Sequence, residues 1–392
     1  MLRFALVLGV LALTSPLAID MYLPALPQLA SDFGATEAAI QATLIGYFIP
    51  FGLAQLFYGP MADATGRRLP LVIGLCIFLI GSIGAAFAPS LPVLVAWRAL
   101  QGLGGACLMV IPRAVIRDRY TGAEATRLMA MVMLVISISP MLAPLFGTLV
   151  LTFGNWRAIF ATLALLSLVG LLLTIFMLPE TLERPARRKV SVSAMARGAK
   201  VLFTDPVFMG LTLVGGFGMA SFFVFIASAS FVYMSSFGLS EAQFSIAFAC
   251  NAVGFFAASQ VAAGLATRIG MSRMVRLAVT GFFAFTLLLF VIALAGMATV
   301  WTMGACLIIA NSFLGLVIPT TMVLALDEHG DIAGLASSIG GTLQMVAGGL
   351  MIALTGPFFD GTALPMAGAI AVCGLIAFLL ATLVLRRREA IA

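Results

Sequence analysis

Apolar runs long enough to cross a bilayer fill this chain, and that one feature removes most of the folds open to 392 residues. A spanning helix needs about 20 mostly apolar residues at about 1.5 Å of rise each. On that rule twelve segments stand out, near 4–26, 39–60, 70–88, 92–115, 126–151, 158–178, 207–234, 242–265, 274–296, 299–325, 333–357 and 364–385. The runs are apolar on every side, whereas strands of a membrane barrel would alternate apolar and polar residues. The expected class is therefore an all-α membrane protein with about twelve transmembrane helices. Composition agrees: 62% of residues are hydrophobic and 9% charged, against about 25% charged in a soluble domain. So few charges cannot cover a water-facing surface, which excludes soluble enzymes and disordered chains.

The net charge is +6, but the bases sit in short clusters between the apolar runs. They read as topology signals, not as a nucleic-acid surface. Loops on the side of the N-terminus hold Arg3, Arg67, Arg68, Arg117, Arg119, Arg127, the run Arg184 to Lys200, Arg268, Arg273, Arg276 and Arg386 to Arg388. Opposite loops hold little beyond Arg157, with Asp32, Glu37, Glu241 and Asp360. Both termini are expected in the cytoplasm of a bacterial-type inner-membrane protein. The opening segment has one Arg and an apolar run longer than a signal-peptide core, so it reads as the first span.

The longest polar interval, from Glu180 to Pro206, divides the apolar runs six and six. This suggests an N-terminal bundle 1–180, a cytoplasmic linker 181–204 suited to an anionic leaflet, and a C-terminal bundle 205–392. Two such halves point to a transporter of repeated bundles working by alternating access. Cys76, Cys107, Cys250, Cys306 and Cys373 each stand alone, without CxxC spacing. Neither a disulfide framework nor a metal site is expected, and no cofactor. No GxxxxGK[ST] loop occurs, so the driving energy would be an ion gradient or a separate subunit. Without HExxH or GxSxG the usual protease and lipase machinery is missing, and no enzyme is expected.

Four motifs in order narrow the reading. Gly59 to Arg68 (GPMADATGRR) resembles the GxxxDxxGR(R/K) loop of the major facilitator superfamily, with Ala64 where that loop often has a basic residue. Leu94 to Gly105 (LVAWRALQGLGG) is similar to the RxxQGxG motif of its proton-coupled members. Pro140 to Gly147 (PMLAPLFG) is similar to its antiporter motif, with Ala143 where many members have Gly. Asp20 to Pro24 (DMYLP), with Pro27, resembles the bicyclomycin and chloramphenicol exporter branch. The motifs cover the N-terminal half; in the other half Gly264 to Arg273 (GLATRIGMSR) echoes the first motif without its acid. The resemblance implies proton-coupled export of small amphiphilic drugs such as antibiotics by a monomer. Alternatives are a proton-coupled transporter of an endogenous metabolite, a channel, and an intramembrane enzyme.

Within this frame the charged residues in spans carry the chemistry. Arg98 inside a span costs about 2.5–3.5 kcal/mol on insertion scales, so it should face a cavity or polar partner. Gln101 is on its face at i+3; the alternative is an Arg snorkelling to the outer interface. Asp20 is the one acid clearly within an apolar run, about 24 Å from the cytoplasmic start of its helix and thus in the outer part of the bilayer. Asp20 and Arg98 are the expected proton-coupling pair, unless Asp20 is a hydrated helix-end acid with Pro24 and Pro27 ending the helix. Both would also contact substrate, together with Tyr22, Gln101, Phe217, Phe223 and Asn251. Gating would involve Asp63, Gly66, Arg67 and Arg117, with Arg117 as a partner for Asp63. Pro140, Pro144 and Gly147 share one helical face, where they would either gate or simply pack. His329, the only histidine, sits in an acidic loop and is expected to be solvated.

Overall fold

A computed structural model describes residues 2–187 and 191–391. Arg188 and Lys189, and the side chains of Arg3 and Arg388, all counted above as cytoplasmic bases, lie outside the described residues. The helices are α1 (Leu2–Asp20), α2 (Leu26–Phe33), α3 (Glu37–Thr65), α4 (Arg68–Ala86), α5 (Leu91–Arg119), α6 (Gly122–Phe153), α7 (Trp156–Met177), α8 (Val192–Thr204), α9 (Pro206–Ser230), α10 (Glu241–Ile269), α11 (Met271–Leu294), α12 (Val300–Leu326), α13 (Ala333–Thr355) and α14 (Ala363–Ile391). No strand occurs among the described residues. Among the described residues twelve stretches are long and apolar enough to cross a membrane, as the sequence predicts.

Local chemistry sets the helix ends. Pro206 opens α9 behind Asp205, whose Oδ1 accepts the Val207 backbone N–H at 2.8 Å; proline at the first helical position loses no donor the helix needs. Reciprocal capping boxes start α10 (Ser240 with Gln243) and α12 (Thr299 with Thr302). Gly66, between α3 and α4, has φ +100°, a backbone region other residues rarely adopt. Arg157, the base that stands out among the opposite loops, donates to the carbonyls of Ala86 (2.9 Å) and Ala88 (3.0 Å), satisfying the end of α4.

The chain forms two compact units: Met1–Thr36 with Ala42–Val192, and Glu37–Gln41 with Ser193–Ala392. In the first, α4 packs on α5 and α7, while α1 packs on α5, α6 and α7. In the second, α11 packs on α12 and α14, while α9 packs on α12, α13 and α14. The pairing scheme is the same in both. One close approach recurs as well: a Cβ on Gly102 of α5 would strike the Tyr47 carbonyl of α3, and one on Gly315 of α12 would strike the Phe255 carbonyl of α10. Small residues at these crossings allow backbones to meet where lipid supplies no hydrophobic drive.

Three local expectations need correction, and one feature is added. Pro24 and Pro27 do not end the first span. Each opens a new helical turn, a 3₁₀ turn Leu23–Ala25 and then α2, so the span continues to Phe33. Asp20 therefore lies near the middle of Leu6–Phe33 and not in its outer part. The Gly59–Arg68 motif is mostly helix, since α3 runs to Thr65 and only Gly66 and Arg67 turn the chain. The polar linker holds a helix of its own, α8, whose Gly198 meets Leu335.

Candidate functional site

Arg98 is wholly buried seven residues into α5, and it is not snorkelling. Its Nη1 donates to the Ala18 carbonyl at 3.0 Å and to Gln101 Oε1, and its Nε reaches the Thr43 carbonyl at 3.4 Å. Aromatic rings close over the guanidinium, with centroids 4.5 Å (Tyr47), 5.0 Å (Tyr22) and 5.8 Å (Phe160) from its central carbon. Such faces attract a cation, more strongly when water is excluded. The rings are themselves anchored: the Tyr22 hydroxyl meets Thr43 Oγ1 at 3.0 Å, and the Tyr47 hydroxyl meets Ser15 Oγ at 2.9 Å. One nitrogen, Nη2, has no acceptor.

Asp20 ends α1 two residues beyond the carbonyl that Arg98 holds. It is 4% exposed, and no described residue hydrogen-bonds or ion-pairs with it. The structure thus brings the two expected coupling residues onto adjoining elements without a direct salt bridge. Gly147 of α6 packs there too, since a Cβ on it would strike the Met21 carbonyl just after the helix end. Pro144 is buried beside it and Pro140 half-buried. Helices α1 and α6 pack on each other.

Sequence reasoning missed several members of this neighbourhood. Ser82 of α4 accepts from Gln101 Nε2 at 2.8 Å. Thr43 and Tyr47 of α3 lie in the second apolar run, where nothing in the pattern singles them out. Arg113, also on α5, is half-buried, with its Nε enclosed and without an acceptor. It was legible, being a second base inside the fourth apolar run.

A separate cluster lies at the other end of the first unit. Arg67 pairs with Asp63 at 2.5 Å and, through Nε and Nη2, with both oxygens of Asp118 at 2.7 and 3.2 Å. Burial works against the Arg67 charge, but the hydrogen bonds to Asp118 and Asp63 outweigh it and hold the guanidinium above its ordinary range. Asp63 therefore has Arg67 as its partner, not Arg117, which is exposed on the last turn of α5. Glu180 accepts the backbone N–H groups of Arg67 (2.8 Å) and Arg68 (3.2 Å), filling the start of α4 with negative charge. Burial pushes the Glu180 carboxyl up, yet these bonds, one from the Leu182 N–H, and nearby Arg187 bring it below the usual range.

In the second unit, Phe223 and Asn251 are buried and Phe217 half-buried. Asn251 donates to the Ala247 carbonyl at 3.1 Å, while its Oδ1 and the Tyr233 hydroxyl have no partner in hydrogen-bond geometry. Tyr233 lies on a π-helical turn, Phe231–Ser236, that follows α9. His329 is not simply solvated, as expected above. Its Nε2 meets Asp205 Oδ2 at 2.8 Å and its ring stands edge-on to Phe208. Among the described residues no group of His, Cys, Asp and Glu could hold a metal ion.

Comparison with known proteins fits this architecture. Residues 8–352 match the family model of the Major Facilitator Superfamily. The chain is 34% identical over 384 residues to the uncharacterized MFS-type transporter YdgK of Bacillus subtilis (strain 168), covering 96% of this chain and 94% of the relative. It is 28% identical to the bicyclomycin resistance protein homolog of Haemophilus influenzae, covering 96% of this chain and 94% of that one. Identity to multidrug resistance protein D of Escherichia coli (strain K12) is 29%, covering 89% and 87%. The crystal structure of a D-xylose-proton symporter superposes with TM-score 0.73 over 98% of this chain and 97% of that one, at 17% identity, a likeness of fold alone. With its motifs, twelve spans and repeated packing scheme, the chain belongs to the Major Facilitator Superfamily, as a multi-pass membrane transporter of bacterial type.

Proposed function

We propose that the chain is a proton-coupled exporter of small amphiphilic compounds, antibiotics among them, acting as a monomer in the inner membrane with both termini cytoplasmic. The observation that carries this reading is the unpaired, buried Asp20 carboxyl in the middle of a span, next to a helix end held by a buried Arg98. A carboxyl in such a place can take up a proton and lose it again, and Arg98, bonded to the same helix end, is the charge that governs when. The names of the resistance-protein relatives support export over uptake. Alternating access couples the two fluxes: Asp20 exchanges its proton on one side, and substrate leaves in return.

The charges inside the spans of the first unit also favour a substrate class. Arg98 is buried and Arg113 half-buried, against a single buried acid among the described residues, Asp20. With the interior not negative, neutral or zwitterionic amphiphiles bind in preference to dications. Within the second unit, Asn251, Tyr233, Phe223 and Phe217 are uncharged hydrogen-bonding and aromatic groups.

Inverted membrane vesicles test both claims. Bicyclomycin or chloramphenicol should accumulate under an imposed pH gradient, and an uncoupler or Asp20→Asn should abolish accumulation. Vesicles bearing Asp20→Asn that still concentrate the antibiotic would place the proton carrier elsewhere. Transport of a dication panel without neutral antibiotics would overturn the substrate class.

A further inference from the structure

The hydroxyl of Ser82 occupies an unusual place. Ser82 lies on α4, wholly buried and with no charge of its own. Its single O–H donates to the Phe78 carbonyl at 2.8 Å. With that proton committed, Ser82 can only accept from any other neighbour. Gln101, also wholly buried, must therefore turn its amide nitrogen toward Ser82, and does so at 2.8 Å. The amide has two ends, so its oxygen faces the other way, where Arg98 Nη1 donates to it. Arg98 has donors only and needs an acceptor there. The order Arg98 to Gln101 to Ser82 to Phe78 is thus directional, each group set by the one after it.

Packing fixes the reach of this chain. Gly81, the neighbour of Ser82, is where α4 comes closest to Gln101: a Cβ there would lie 2.7 Å from the Gln101 nitrogen and 2.9 Å from its Cα. Without a side chain at residue 81, α4 approaches near enough for the Ser82 hydroxyl to reach the amide.

We propose that Ser82 is a positioning residue for proton coupling, acting through Gln101 to hold the Arg98 guanidinium on the Ala18 carbonyl, two residues before Asp20. The inference rests on the reading of Asp20 and Arg98 given above. Three acceptors hold Arg98, namely Gln101 Oε1, Ala18 O and Thr43 O, and none is the carboxylate two residues along from Ala18. Removing the Ser82 hydroxyl leaves a buried amide N–H of Gln101 with no acceptor. The amide then turns to find one, and Arg98 loses its closest neutral partner, which frees the guanidinium, already short of one acceptor at Nη2, to shift relative to the helix end that Asp20 closes.

The test needs no transported compound. Infrared titration of the purified transporter follows the band of the buried protonated carboxyl, assigned to Asp20 by its loss in Asp20→Asn. Ser82→Ala should displace the midpoint of this band by about one pH unit, a tenfold change in proton affinity. Gln101→Glu supplies the control: a carboxylate accepts from Arg98 whichever way it is turned and has no amide N–H to satisfy. In the Gln101→Glu background, Ser82→Ala should therefore displace the midpoint no further. An unmoved midpoint in Ser82→Ala overturns the proposal. Equal displacement in both backgrounds overturns it too, because that is what a mere packing defect would do. Thermal melting and monodispersity check folding, and Ser82→Cys, a poor acceptor of nearly the same size, serves if Ser82→Ala does not fold. Absence of a titrating band that Asp20→Asn removes would instead defeat the reading of Asp20 and leave the hydrogen-bond chain a structural one.

Discussion

The two units share a packing scheme but not a chemistry, and the difference is sharpest on α5 and α12. Each helix carries a glycine pressed on a carbonyl of the preceding partner, Gly102 on Tyr47 and Gly315 on Phe255. Four residues before the glycine stands Arg98 in the first unit and Asn311 in the second. Both are buried, and each has one side-chain nitrogen without an acceptor, Arg98 Nη2 and Asn311 Nδ2. The first spans of the units also match: α1 breaks after Asp20, while α9 passes into the π-helical turn that holds Tyr233. At these matched sites the first unit has an acid and a base, and the second has hydroxyls and amides. Packing is thus the conserved part of the repeat and charge the variable part. This is the division of labour expected if one unit handles the proton and the other offers a neutral surface to substrate.

The largest effect should come from making the first unit resemble the second. Arg98→Asn should abolish uphill export. One proton per 100 mV is worth about 2.3 kcal/mol, so the loss is a substrate gradient of roughly 50-fold. Arg98→Lys should fail as well, because an ammonium cannot bond to Gln101, Ala18 and Thr43 in the planar guanidinium geometry. Asn311→Ala should instead change the substrate concentration for half-maximal transport and leave the response to an imposed pH gradient intact. Proton-driven uptake into proteoliposomes at varied substrate concentration separates the two, and loss of coupling in Asn311→Ala would break the comparison.

Next in size is a test of the shared packing. Gly102→Ala and Gly315→Ala each place a methyl group against a backbone carbonyl that cannot yield as a flexible side chain can. Overpacking of this kind costs about 1–3 kcal/mol. Both variants should lower the melting temperature in detergent by similar amounts. Tolerance of one and not the other would show that the glycine crossings are not equivalent.

A smaller effect is expected at Glu180, whose carboxylate caps the start of α4. Glu180→Gln should cost about 1 kcal/mol, the usual worth of a cap. The folded protein holds this carboxyl below its ordinary range, so its contribution is present at neutral pH and lost as pH falls through and below that range. Melting curves of the parent should therefore fall more steeply on acidification than those of Glu180→Gln.

What the sequence disclosed follows from how far apart the interacting residues lie. The twelve spans are legible because length and apolarity alone decide them, and Arg98 with Gln101 because an i, i+3 pair meets on one face of any helix. Arg67 and Asp63 are four residues apart and were singled out, but the chain turns at Gly66, so helical spacing does not fix their contact. Asp118 comes to Arg67 from α5 and Glu180 from the segment after α7, and no local period marks them. Ser82 is hidden for the same reason, and because a lone serine in an apolar run commonly bonds its own helix, as Ser82 also does. Proline misled at Asp20: Pro24 and Pro27 stop one helix and start the next, and only the structure tells which.

The smallest predicted effect, that of His329→Ala, lies at the end of the second unit where the acid of the Gly59–Arg68 motif has no counterpart in Gly264–Arg273. There Asp205 does two things: Oδ1 caps α9 through the Val207 N–H, and Oδ2 holds His329 in the turn before α13. His329→Ala removes only the second bond, between groups 12% and 21% exposed, and should cost no more than about 1 kcal/mol. Asp205→Ala removes the cap as well and should cost more, by the roughly 1 kcal/mol a cap is worth. Asp205→Asn keeps a good capping residue and an oxygen or amide for the ring, so it should fall between the parent and His329→Ala. Melting temperatures of the three variants give the order directly. If His329→Ala destabilises as much as Asp205→Ala, the His329 contact, not the cap, anchors the start of α9, and the second unit has replaced the Arg67 cluster with a tie of comparable strength.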